Sequence, residues 1–428
     1  MNGRATTRNG IVTAPAWFAA GLVLRPLHLA LCFPSILYLG TLAVFLFRPP
    51  DVNFYYLDRV AFCGVTFFVG LRALACREES PFVASISWPM LGLIGLAVVR
   101  ASREPFDLQT WSLVASKFIV PFTLFHVAIL VFRAVDAQAH FEIFVVIVLA
   151  YLIFTAVAFL VGARTLIFPS FILDESLGIH VDRARGPFLQ AVANGVSLNI
   201  LGLLAVAFSW SRGRVVLLLW LVLPLAVLAT MTRAVWISFA FSVIALGFRI
   251  GERHLRRLCL AFVCVGLLIS LLAGLTGDSM KNALVDRAEE RGPVDVRLSV
   301  YVAGWAMIQE RPITGWTAGG MYEELARRME GYHVSAFYIH NTYLSLLIEF
   351  GIPGLLLYGI LFFNLFRLGR ASTNASDSPS VLALRKIWPI LLCVYLFNAF
   401  FVDMAYQFVI GLLFTVAGIL QASKESAA

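Results

Sequence analysis

A run of about 20 apolar residues is long enough to cross a bilayer as a helix, and this 428-residue chain repeats such runs almost from end to end. By that measure about twelve spans are expected. They fall near 27–46, 60–76, 81–99, 113–134, 142–163, 188–209, 215–231, 234–249, 258–276, 341–366, 387–402 and 405–421. Composition agrees: 60% of the residues are hydrophobic and only 14% are charged, where a soluble chain carries about 25% charge. The expected fold class is therefore an all-α polytopic membrane protein. The net charge of +8 then serves orientation rather than nucleic-acid binding. No basic amphipathic run of the nucleic-acid kind is present. Arg4 and Arg8 precede a long apolar run whose core is followed by no small-residue cleavage site. That pattern predicts an uncleaved first span.

The chain divides into three parts: spans over 1–276, a hydrophilic segment over 277–339, and closing spans with a tail over 340–428. Placing the N-terminus in the cytoplasm puts most Arg and Lys at cytoplasmic ends, including Arg72, Arg133, Arg249, Arg367, Arg370 and Lys424. Fewer fall on short external loops, Lys117 and Arg233 among them. The loop 164–187, the turn at Thr232-Arg233 and the 277–339 segment then face outward together. The stretch 371–380, ASTNASDSPS, reads as a flexible connector.

Three outward stretches carry groups suited to chemistry. In VDRARGPFLQAVAN, Arg183 and Arg185 flank Ala184, and Gly186-Pro187 is expected to open the next helix. Guanidinium groups grip phosphate oxygens at two points, and a helix N-terminus favours an anion. Gln190, Asn194 and Asn199 follow, either lining a polar cavity or bonding helices together. Arg233, in TMTRAVW, sits between two apolar runs, where an arginine needs water, headgroups or an anionic partner.

The third stretch begins at Arg297. Val300, Trp305, Met307 and Ile308 predict an amphipathic helix on the membrane surface, stopped at Arg311-Pro312. Gly315-Trp316 and Gly319-Gly320 allow a tight turn. Residues 321–332 read as a solvated helix with Glu323 and Glu324 against Arg327 and Arg328. His340-Asn341 then re-enters the membrane, and a neutral histidine there can take a proton from a hydroxyl. Glu349 lies deeper in the same run, as an orienting group or a buried structural acid. The chain has neither a D-x-D pair nor HExxH, so no metal site and no cofactor are expected.

The pattern R…W…RPITGW…HNTYLSLLIEFGIPGLLLY resembles the signature region of the O-antigen ligase and polymerase superfamily. RARGPF…AN before a span and TMTRAVW at a span edge resemble two further motifs of that family. The resemblance implies a GT-C-like, metal-independent inverting glycosyltransferase of the bacterial inner membrane, with its active site facing the periplasm. The implied donor is a glycan on undecaprenyl diphosphate. The implied acceptor is lipid A–core for a ligase and a growing polysaccharide for a polymerase. Membrane lipids surround the protein and nucleic acid is not a partner. By the same resemblance, His340 would be the base, and Arg183, Arg185, Arg233 and Arg297 would hold the diphosphate. Asn341, Glu349, Gln190 and Asn194 would support them.

Two readings of other classes compete. A transporter for the same lipid would use the arginines but need no base. A structural subunit would leave Arg183, Arg233 and His340 far apart.

Overall fold

A computed structural model describes residues 32–47, 56–103, 105–169, 172, 174, 182–250, 292–316, 318–329, 339–370 and 378–425. Every regular element among them is a helix. The first is α1 (Pro34–Leu46), followed by α2 (Leu57–Ala75), α3 (Ala84–Ala101) and α4 (Leu108–Val114). A π-turn (Ala115–Ile119) runs α4 into α5 (Val120–Phe132), and α6 (Val135–Leu160) follows. Then come α7 (Ala191–Ala207), α8 (Ser209–Leu228) and α9 (Arg233–Ile250). The hydrophilic segment supplies α10 (Gly292–Glu310) and α11 (Ala318–Arg328). The last three are α12 (Thr342–Leu368), α13 (Pro379–Ala399) and α14 (Gln407–Glu425).

Six described helical stretches are long and apolar enough to cross a membrane: Ala84–Ala101, Thr110–Phe132, Asp136–Leu160, Thr342–Leu368, Pro379–Ala399 and Gln407–Glu425. Three apolar helices are shorter: Pro34–Leu46, Ala191–Ala207 and Arg214–Leu228. The expected span at 258–276 lies outside the described residues, as does most of the connector 371–380. The spans that are described sit close to their expected positions. α13 starts eight residues before the expected 387 because Ser378 caps it, its side chain accepting from the Val381 amide, with Pro379 at the first helical position.

Small residues let the helices approach closely, the usual packing device in lipid. A Cβ on Gly418 of α14 would meet the Ala128 Cβ of α5 at 2.5 Å. Gly202 of α7 leaves room for Leu223 of α8, and the Trp220 indole donates to the Gly202 carbonyl at 3.1 Å. Asn199 and Asn398 both donate to the Ser238 hydroxyl, at 3.3 and 3.0 Å, which ties α7, α9 and α13 together. Asn199 thus serves helix packing.

The two ends of the bundle differ. At one end Arg133 pairs with Glu425 at 2.8 Å, and the Arg249 guanidinium donates to the Lys386 carbonyl at 3.0 Å. These are basic residues that the charge pattern groups on a single side. At the other end lie the start of α12, the 402–406 turn and the helices of the hydrophilic segment.

Two expectations for that segment need correction. Val300, Met307 and Ile308 are buried against Met321, Leu325 and Ile348, but Trp305 is 58% exposed and sits on the opposite face. The helix is apolar on two sides rather than amphipathic. Of the paired acids in α11, Glu324 binds both Arg327 and Arg328, while Glu323 is exposed.

Candidate functional site

The RPITGW turn and the EFGIPG stretch make one structure. α12 breaks at Gly351, whose φ of +67° is left-handed. The freed backbone groups bond to the turn: the Trp316 amide donates to the Ile348 carbonyl at 2.7 Å, and the Ile352 amide donates to the Pro312 carbonyl at 2.8 Å. Unsatisfied backbone in a membrane is costly, so this docking permits the break. Gly315 (φ +64°) and Gly351 each face the other's segment: a Cβ on Gly315 would lie 2.5 Å from the Glu349 carbonyl oxygen, and one on Gly351 would lie 2.5 Å from that of Ile313. Arg311 and Arg328 stand over the Trp316 ring, with guanidinium carbons 4.1 and 5.1 Å from its centre.

This docking positions the start of α12. Asn341 is its N-cap: the side-chain oxygen accepts from the Leu344 amide at 3.0 Å, and the amide reaches the Tyr301 hydroxyl of α10 at 3.4 Å. Asn341 thus caps α12 and ties its start to α10. Thr342 fastens the same turn to the 402–406 segment, donating to the Val402 carbonyl and accepting from the Met404 amide, both at 3.0 Å. His340 is held one residue before the cap, with part of its surface open. Its other side is crowded, and burial pushes the imidazole below the ordinary histidine range. Arg297 pushes the same way and Asp403 partly opposes. The neutral form, which can accept a proton, is thereby favoured.

Sequence reading missed the partner of this region. Lys117 was expected on an external loop. It lies instead in the π-turn within the stretch Thr110–Phe132 and pairs with Asp403 at 2.6 Å. Such bulges recur where a helix carries function. Lys117, Asp403 and Glu349 line one cavity of about 60 Å³ together with Thr342, Ser345 and Tyr358. Glu349 is 7% exposed and shares that cavity with Lys117 and Asp403 rather than lying in plain apolar packing. The signal was present: a lysine inside WSLVASKFIVPF is costly unless paired.

The arginine loop is built around Ala184. Its amide donates to the Ala229 carbonyl at 3.0 Å, and its carbonyl accepts from the Asn194 side chain at 2.9 Å. Asn194 is therefore a latch for the loop. Gly186 (φ +58°) makes room for it, since a Cβ there would lie 2.6 Å from the Asn194 side-chain oxygen. The helix does not start at Gly186-Pro187 as expected. α7 begins at Ala191, with Gln190 at the cap position, because the loop is bonded to Ala229 and Asn194 rather than wound into a helix.

Arg183 and Arg185 line a cavity of about 110 Å³ with Arg164. Arg185 donates to the Ile172 carbonyl. Arg183 is 7% exposed, lies 3.8 Å from Asp182, and has a buried Nε with no hydrogen-bond partner. Arg233 begins α9, four residues beyond the Ala229 that pins the loop. It is close enough to Arg183 that the two guanidinium groups repel, adding to the desolvation that Asp182 offsets. The loop and the turn thus bring Arg183, Arg185 and Arg233 together.

His340 and Arg297 form a second group and line neither cavity. The Tyr406 hydroxyl donates to Gln190 at the end of the arginine loop, and Tyr406 stands three residues from Asp403. Gln190 therefore ties the arginine loop to the 402–406 turn.

The described helices define a class: a helical multi-pass membrane protein. Residues 215–359 match the family model described as O-antigen ligase, which supports the resemblance to the O-antigen ligase and polymerase superfamily. The matched stretch takes in Arg233, Arg297, His340 and Glu349. No curated protein matches the chain.

Proposed function

We propose that the protein is a metal-independent, inverting glycosyltransferase that moves a glycan from undecaprenyl diphosphate to an acceptor hydroxyl at the periplasmic face of the inner membrane. About twelve crossings, with 277–339 outside, are the matching topology. Ligation to lipid A–core is the first reading, favoured by the ligase description of the matched family. Polymerisation onto a growing polysaccharide uses the same donor and is the alternative.

The observation that carries the proposal is the buried Arg183 guanidinium, which shares a cavity with Arg185 and feels the charge of Arg233. In this reading Arg183, Arg185 and Arg233 hold the diphosphate, and Arg297 serves it near His340. His340 takes the proton of the acceptor hydroxyl as its oxygen bonds to the anomeric carbon. The bond from that carbon to the phosphate oxygen breaks, and undecaprenyl diphosphate leaves with the electron pair. Positioned guanidinium groups stabilise the charge that develops on it. A transporter would need no base at His340.

Purified protein given lipid-linked glycan and acceptor in EDTA is expected to form a new glycosidic bond, and His340→Ala to lose it. A wild-type rate in His340→Ala would overturn the assignment. Movement of the lipid without bond formation would favour transport.

A further inference from the structure

A second charged centre lies at the end of α12 remote from His340. α12 runs from Thr342, two residues after His340, to Leu368. There the last turns of α12 and α14 meet the first turn of α3 around an open cavity of about 590 Å³. Arg367 of α12, Arg370 just beyond its end and Lys424 of α14 line it. No Asp or Glu is among the described residues lining it. Glu425, next to Lys424, is engaged with Arg133 at 2.8 Å. The Asn364 amide donates to the Ser85 carbonyl at 2.8 Å, which fixes the first turn of α3 at the cavity. The positive end of the α3 dipole adds to the same field.

The two arginines rest on rings: Arg367 lies 5.9 Å from the Phe363 centre and Arg370 lies 4.5 Å from the Phe366 centre. A guanidinium stacked on a ring keeps its in-plane N–H groups for an anion. From this mouth an apolar strip runs along α12 at helical spacing. Phe363, Ile360 and Leu356 are 61%, 49% and 60% exposed.

We infer that this cavity is a binding site for an anionic phospholipid, with the headgroup phosphate on Arg367, Arg370 and Lys424 and an acyl chain along Phe363, Ile360 and Leu356. Cations alone suit free phosphate equally well. The adjoining strip is what selects a lipid, and basic pockets between spanning helices bind such headgroups. The site is independent of glycosyl transfer and stands or falls without it.

The test is lipid retention by native mass spectrometry, with thermal midpoints, on protein in phosphatidylglycerol or phosphatidylcholine nanodiscs. Wild type is expected to retain phosphatidylglycerol preferentially and to melt higher in it. The variant R367Q/R370Q/K424Q should lower that retention roughly tenfold or more and lose the gain in midpoint. R103Q, at the other end of the bundle, should change neither. Inorganic phosphate added to phosphatidylcholine discs should not reproduce the gain. Equal retention of both lipids by wild type overturns the inference, as does unchanged selectivity in the triple variant. A gain reproduced by inorganic phosphate overturns the lipid assignment. Should the triple variant fail to insert, Arg370→Gln alone must still lower the ratio of the two retained lipids, and an unchanged ratio counts against the site.

Discussion

At His340, burial and Arg297 both disfavour the imidazolium, and Asp403 only partly offsets them. The base-competent form then persists below the usual histidine range near about 6.5. Transfer rate should therefore climb along an acidic limb below that value. Arg297→Gln removes a cation that opposes protonation, so the limb moves to higher pH. Asp403→Asn removes an anion that favours protonation, so it moves lower. Coincident limbs in the three pH–rate profiles would deny that these charges act on the base. At Arg183 the issue is shape as well as charge. Lysine keeps the charge but loses the fork that grips two oxygens. Arg183→Lys is accordingly expected to raise the donor KM about tenfold, and Arg183→Gln further; a KM unchanged in both would remove Arg183 from the donor site. His340 and the arginines were visible from sequence because charged groups stand out beside apolar runs. Lys117 and Asp403 were just as visible as letters, but their pairing was not. Lys117 lies within one span and Asp403 in the turn between two others, far apart in the chain, and only the packed bundle brings them to 2.6 Å.

At the scale of elements, helix positions were legible because lipid imposes length and apolarity together. The ends were less so: α13 begins at a serine cap well before its apolar core, and α7 begins four residues after the expected Gly186-Pro187 turn. RPITGW and EFGIPG were each readable as turns, yet their mutual docking is a long-range contact that neither stretch encodes alone. That docking makes Gly315 and Gly351 sensitive. Alanine at either would take a left-handed φ and press Cβ against a carbonyl 2.5 Å away, a cost of roughly 1–3 kcal/mol or more. Gly359, with no atom within 4 Å of its Cβ position, is the matched control. Thermal unfolding in detergent should separate them: a clear loss for Gly315→Ala and Gly351→Ala and little change for Gly359→Ala. Equal midpoints would mean the turn does not support the helix break.

For the whole molecule, the Lys117–Asp403 pair fastens the π-turn between α4 and α5 to the turn that carries Tyr406 and, through it, Gln190 of the arginine loop. Removing one partner strands a charge in a mostly buried place. Lys117→Met is expected to destabilise by about 3 kcal/mol, the low end for breaking a buried pair, since the Asp403 side chain is 26% exposed. Lys117→Met with Asp403→Leu should recover part of that loss in the same melts. Additive losses would show that the pair is not coupled.

The central claim is that the arginine loop holds the diphosphate while His340 does the chemistry. Binding of undecaprenyl diphosphate to the reconstituted protein, measured at equilibrium alongside turnover, tests it most directly. Arg183→Gln should weaken binding about tenfold or more, in line with losing a charge-assisted grip on phosphate. His340→Ala should bind as wild type does and transfer nothing. Undiminished binding in Arg183→Gln, or surviving transfer in His340→Ala, would contradict the account.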